Sequence, residues 1–242
     1  MASKEISYNN HTYQLSYEIV NPSAADVMLV LHGWGSKKEI MKQAFGKLLP
    51  EYKHIYLDMP GFGKSTNESI LTTEDYAKIV SLFLDSLGVT PKIAMGHSFG
   101  GKVSALLNTP CLVLLSSAGV ITQKPWSVKL KIATVKFLKP LGMSFVRELF
   151  KSKDVEGMSH EMYETFKNVV DEDFEAQFAQ SRSKALLFWG KEDTATPLYT
   201  GEKIASLIEG AQFFPLEGDH FFFLQHAPFI AQTISEQCKD NQ

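Results

Sequence analysis

The chain reads as an α/β protein, a mostly parallel sheet with helices on both faces and a helical lid inserted after the sixth strand. Three observations predict this. Short runs rich in branched apolar residues recur: "VMLVLH" from Val27, "HIYLDM" from His54, "KIAMGH" from Lys92, "CLVLLSS" from Cys111 and "ALLFWG" from Ala185. They are apolar on both parities, the pattern of strands covered on both faces. Helical spacing fills the stretches between them, and strand–helix alternation of this kind builds an open parallel sheet. The alternation then fails over about 65 residues between Val120 and Lys184, where helical spacing continues without a convincing strand.

The elements follow in order. "ISY" and "TYQLSYE", on either side of "NNH", alternate apolar and polar residues and predict an antiparallel hairpin at the sheet edge. "TTEDYAKIVSLFLDSLG" predicts a helix capped by Thr72 or Thr73, with Glu74 and Asp75 in its first turn and Gly88 as its stop. The helix after Ser98 is short, because "GKVSALLNTP" reaches Pro110 within a few residues. The sheet core is therefore assigned to residues 1–119 and 184–242, and the lid to 120–183, with "PWSVKLKIATVKFL" and "SHEMYETFKNVV" as its helical stretches. Lid charge is divided. Lys124, Lys129, Lys131, Lys136, Lys139, Arg147, Lys151 and Lys153 fall in the first half, and Asp154, Glu156, Glu161, Glu164, Asp171, Glu172, Asp173 and Glu175 in the second. This reads as two solvated helix faces attracting each other; an anionic substrate or a membrane contact at the basic half is the alternative.

Composition limits the partners. A chain of 242 residues buries roughly 70 to 75% of its unfolded surface, enough for a substantial core. Its 44% hydrophobic and 21% charged residues are ordinary for a globular protein, and a net charge of -3 gives no reason to expect nucleic acid. Cys111 and Cys238 allow at most one bridge and match no metal or redox spacing, so a reducing compartment is the simpler expectation. "MASKEISYNN" lacks the apolar stretch of a secretory leader, and no apolar run is long enough to span a bilayer. The expectation is a cytoplasmic protein with a small-molecule substrate, no cofactor or metal, no nucleic-acid partner and no stable membrane insertion. Oligomeric state is not readable.

The chemistry is concentrated in "AMGHSFGG", residues 94–101. A strand that turns at once into a helix forces the apex residue to positive φ and lifts its side chain above the sheet edge. Positions two before and two after the apex then crowd each other, which explains Gly96 and Gly100; Gly101 lets the new helix approach the sheet. The apex, Ser98, sits at a helix amino terminus, where free amides favour developing negative charge. A serine hydroxyl needs a base, and the base an orienting acid. "ALLFWGKEDTATP" presents Asp193 just beyond a strand, with Glu192 as its competitor, and "FFPLEGDHFFFLQHAP" presents His220 beyond another. Sites in open parallel sheets collect at these strand ends.

Together with "HGWG" at His32–Gly35 and "DMPGFGKS" at Asp58–Ser65, these stretches resemble the lid-bearing serine hydrolases of the α/β-hydrolase fold. The resemblance implies Ser98 as nucleophile, His220 as base and then acid, and Asp193 as orienter. It also implies an oxyanion hole formed by the backbone amides of Trp34 and Phe99. The Trp34 ring is expected to line the pocket, and Phe221 to face substrate or join Phe222 and Phe223 in the wall behind His220. His97 is expected to pack in the core and His32 to brace the oxyanion loop. His226 reads as a surface residue, Asp219 as facing away and Asp58 as structural; Ser116 and Ser117 stand where some relatives carry the acid.

Serine at the apex argues against epoxide or carbon–halogen hydrolysis, whose enzymes use aspartate there. The activity implied is that of a carboxylesterase for small to medium acyl esters. A carbon–carbon hydrolase of ring-cleavage products is the alternative, set against by His97 and Phe221 where that group carries asparagine and tryptophan. A non-catalytic binding protein on the same fold is the second alternative.

Overall fold

The computed structural model describes residues 2–122 and 158–238. Eight strands form one sheet: β1 (Ala2–Tyr8), β2 (His11–Val20), β3 (Asp26–Leu31), β4 (Tyr52–Leu57), β5 (Pro91–His97), β6 (Cys111–Leu115), β7 (Lys184–Gly190) and β8 (Gln212–Leu216). Their spatial order is β1-β2-β4-β3-β5-β6-β7-β8. The hairpin is the antiparallel edge, β1 on β2 and β2 on β4, and every other pairing is parallel. Asn9 and Asn10, both at positive φ, make the two-residue turn that joins β1 to β2.

The both-parity apolar runs behave as their pattern requires. In β3, Leu29 and Leu31 enter one core cluster while Met28 and Val30 enter the other. Helix α2 (Thr73–Ser86) covers the first face with Tyr76, Ile79 and Phe83. Thr72 caps it in a reciprocal box with Asp75, and Gly88 follows at φ +65°. Helices α1 (Lys38–Phe45) and α7 (Phe223–Gln237) cover the opposite face through Met41, Phe45, Ile230 and Ile234. The short α3 (Phe99–Ala105) leads out of β5.

Between β6 and β7 the described part of the insertion folds as α4 (His160–Val169) and α5 (Glu175–Gln180), followed after β7 by α6 (Leu198–Leu207). Ser159 caps α4 by accepting a bond from the Met162 amide. The stretch "PWSVKLKIATVKFL", the whole basic half from Lys124 to Lys153, and Asp154 and Glu156 lie outside the described residues. The acidic half does not behave simply as one solvated face. Glu172 pairs with the buried Lys102 of α3 at 2.6 Å, Glu175 with Lys203 at 3.2 Å, and Glu164 with Lys167 on its own helix. The Lys102 ammonium also donates to the Val169 carbonyl at 2.7 Å and lies 5.7 and 5.5 Å from the Phe99 and Phe174 ring centres. Burial lowers the Lys102 pKa, an effect that Glu172 opposes without reversing.

A second buried ion pair stands beside α1. Lys38 and Asp58 are both fully buried, with Nζ 2.6 Å from Oδ2. Burial disfavours that ammonium, but Asp58 and Glu39 outweigh it and leave its pKa above that of an ordinary lysine. Cys111 at the start of β6 is joined to Cys238, their Cα atoms 5.9 Å apart. Such a bond is not the expectation for a reducing compartment. Reductant should lower the Tm of the parent protein and leave that of Cys238→Ser unchanged, as calorimetry can read.

Candidate active site

Ser98 follows β5 directly and heads α3, at φ 51° and ψ -116°. Non-glycine residues rarely adopt this conformation, and here the chain on both sides imposes it. The Ser98 amide donates to the Leu115 carbonyl at 3.1 Å, and its carbonyl accepts from the amides of Gly101 and Ala118 at 3.0 and 3.1 Å. The glycines are required by contact. A β-carbon at Gly96 would sit 2.2 Å from the Gly100 carbonyl oxygen, and one at Gly100 2.5 Å from the His32 carbonyl oxygen. At Gly101 it would lie 2.3 Å from Ser117 Oγ, on the strand-end side that α3 approaches. Gly96→Ala is expected to cost about 2 to 3 kcal/mol through backbone displacement and to lower ester turnover with it; thermal melts and initial rates check both.

Asp193 and His220 meet beyond the carboxyl ends of β7 and β8. His220 Nδ1 donates to Asp193 Oδ2 at 2.7 Å. Oδ2 also accepts from Thr196 Oγ1 at 2.8 Å, while Oδ1 accepts from the amides of Ala195 and Thr196 at 2.8 and 2.9 Å. Burial alone would raise the Asp193 pKa, but these bonds, led by that from His220, hold it down at about 2. The carboxylate is therefore ionised through the neutral range and fixes the His220 tautomer. With the proton on Nδ1, Nε2 carries the free lone pair. Among the described residues no hydrogen bond joins Ser98 Oγ to His220 Nε2.

Glu192, the competing acid, is exposed and accepts from the Gly218 amide, so it ties down the loop that carries His220. Asp219 turns away to accept from the Phe221 amide at 2.8 Å. Phe222 and Phe223 are buried, whereas Phe221 is 39% exposed and lies beside the rings of His97 and His220. Ser116 supports the acid loop: its Oγ accepts from the Gly190 amide at 3.4 Å, and its carbonyl oxygen lies 3.2 Å from Thr196 Oγ1. Thr196 escaped the sequence reading, although an aspartate followed three residues later by threonine is a recognisable local bonding pattern.

Across the sheet edge, His32 accepts from the Met59 amide on Nε2 at 3.1 Å, so its Nδ1 carries the proton and donates to the Gly33 carbonyl at 2.8 Å. Burial keeps this ring neutral by lowering its pKa. The Trp34 ring packs against Phe62, Phe99 and Phe166 of α4, and its buried Nε1 has no partner among the described residues. Neither the Trp34 nor the Phe99 backbone amide has an acceptor among the described residues. A cavity of about 710 Å³ lies beside this loop, lined by Gly35, Lys37, Ile40, Phe62, Met158 and Met162 among others. Its lining includes neither Ser98, His220 nor Trp34; it meets the Trp34 surroundings through Gly35, the next residue in the chain, and through Phe62, whose ring packs on that of Trp34. His97 is buried and bonded to the carbonyl of His220, while His226 bonds the Glu217 carbonyl at the surface and His54 bonds Tyr56 within the core.

Comparisons with known proteins bear on the fold and its class. The family model described as the alpha/beta hydrolase fold matches residues 26–107. An uncharacterized hydrolase of Bacillus subtilis, YugF, is 25% identical over 92% of this chain and 93% of its own length. A pimeloyl-[acyl-carrier protein] methyl ester esterase of Vibrio campbellii is 30% identical, but over only 41% of this chain and 40% of that one. Among solved structures, an esterase from Exiguobacterium antarcticum superposes with a TM-score of 0.74 at 22% identity, covering 94% of this chain and 96% of its own.

Proposed function

From the premise that the chain belongs to the α/β-hydrolase fold superfamily and is a hydrolase, we propose that it is a serine hydrolase, a carboxylesterase acting on small to medium acyl esters through an acyl-enzyme. The observation that carries this reading is the buried Asp193 carboxylate holding His220 by Nδ1, on the same sheet edge as the strained apex at Ser98. In the reaction Ser98 Oγ attacks the acyl carbonyl and its proton passes to His220 Nε2. The amides of Trp34 and Phe99 receive the charge on the tetrahedral oxygen. His220 then returns the proton to the departing alcohol, and water repeats the sequence in reverse roles to free the acid.

Residues 120–183 act in this reading as a lid, whose described helix α4 faces the oxyanion loop through Phe166. The cavity beside Trp34 has the size of a small-molecule site and takes the part of the ester remote from the scissile bond. A panel of nitrophenyl esters of increasing acyl length, with a thioester, an amide and a ring-cleavage dienoate, tests the assignment. Highest kcat/KM on short or medium esters is expected; highest kcat/KM on the dienoate would replace ester hydrolysis by carbon–carbon cleavage.

No helix among the described residues is long and apolar enough to cross a membrane. Cytoplasmic placement and the Cys111–Cys238 bond favour opposite redox settings. Alkylation at lysis decides between them: two free thiols support the cytoplasm, and none overturns it.

A further inference from the structure

We propose that His97 is a positioning residue for His220, tying the residue that carries the base to the residue just before the nucleophile. This inference rests on the serine-hydrolase reading. His97 ends β5, is 1% exposed, and lies with its ring centre 4.6 Å from that of His220 and 4.9 Å from that of Phe223. Its Nε2 is 2.9 Å from the His220 carbonyl oxygen. A carbonyl only accepts, so the proton sits on Nε2 and the ring is the donor.

The two bonds at His220 constrain different things. Asp193 sets how the imidazole turns about its own side chain. It leaves open how far the backbone at 220 stands from the nucleophile. The His97 bond supplies that missing dimension, because one hydrogen bond and one peptide unit then connect the base residue to Ser98.

The other side of the His97 ring is equally constrained. Its Nδ1 has no partner among the described residues and lies against Gly33, where a β-carbon would stand only 2.9 Å away. The ring is thus wedged between the glycine of the oxyanion loop and the segment from His220 to Phe223. Burial, reinforced by the neighbouring His220, depresses the His97 pKa to about 3, so the wedge stays uncharged next to the ring that gains a proton during turnover. A buried ring with one free nitrogen and a bond to a carbonyl would be an ordinary core histidine elsewhere. Here that carbonyl belongs to the base.

The test compares His97→Phe, which keeps a ring but cannot donate, with His97→Gln, whose amide can reach the same carbonyl. On a short nitrophenyl ester, His97→Phe is expected to lose about 10- to 100-fold in kcat with KM within about two-fold of the parent. Fluorophosphonate labelling of Ser98 should slow in the same proportion, and His97→Gln should recover most of both. Parental kcat in folded His97→Phe, or equal rates in the Phe and Gln variants, would overturn the proposal. If His97→Phe does not fold, His97→Asn, one carbon too short, takes its place, and rates equal to those of His97→Gln would overturn the proposal in the same way. Failure of the underlying reading is separate: the parent would then resist the fluorophosphonate or Ser98→Ala would keep its activity, whatever His97 does.

Discussion

Ser98→Ala should lower kcat on short nitrophenyl esters by about 10⁴- to 10⁶-fold, with little change in melting temperature. The size follows from what the hydroxyl alone supplies. On the proposed serine mechanism no acyl-enzyme forms without it, and only the binding surface and the amides of Trp34 and Phe99 would remain to assist water. The unchanged stability follows from the backbone: alanine tolerates the apex no worse than serine, and the bonds holding it run through the Ser98 amide and carbonyl to Leu115, Gly101 and Ala118. Initial rates with active-site titration, beside a thermal melt, give both values. Turnover persisting in a homogeneous Ser98→Ala preparation would end the serine mechanism.

Asp58→Ala is expected to destabilise the fold by about 3 to 5 kcal/mol, because it leaves the buried Lys38 ammonium with only the part-exposed Glu39, at 3.2 Å, as counter-charge. For a chain of this size that is a fall in Tm on the order of 10 °C. The aspartate also accepts from the Lys38 and Lys64 amides at 2.8 and 3.1 Å, so the start of α1 and the loop through Gly63 loosen together. Lys38→Met should cost less, since the carboxylate keeps those two backbone donors. The double variant Lys38→Met with Asp58→Leu should be more stable than Asp58→Ala alone. Chemical denaturation of the three decides it, and a double variant as unstable as Asp58→Ala would place the cost in packing rather than in the stranded charge.

Strands β3 to β7 were legible because each is buried on both faces, which leaves an uninterrupted apolar run in the sequence. The strained serine was legible for a similar reason: a backbone that tolerates no β-carbon at two fixed offsets writes glycine into the chain. Asp193 and His220 could be picked out because strand ends locate them, and the geometry brings these two together. The contacts that escaped are those whose partner has no side-chain signature or lies far along the chain. His97 donates to a backbone carbonyl 123 residues away, and a carbonyl looks the same under every residue name. Lys102 finds Glu172 across 70 residues, so a carboxylate that counted as part of a solvated lid face is the partner of a buried lysine. Lys38 showed no sign of burial either, since nothing local marks a lysine whose counter-ion arrives from the next strand.

Lys102 also has a mechanical consequence for the insertion. Its ammonium holds the end of α4 and the turn after it through the Val169 carbonyl and Glu172, while Phe99 and Phe174 exclude water from it. Prising that end away from α3 would leave a bare cation between two phenyl faces, so the junction of α4 with the sheet core is held by a charge that water cannot replace without opening it.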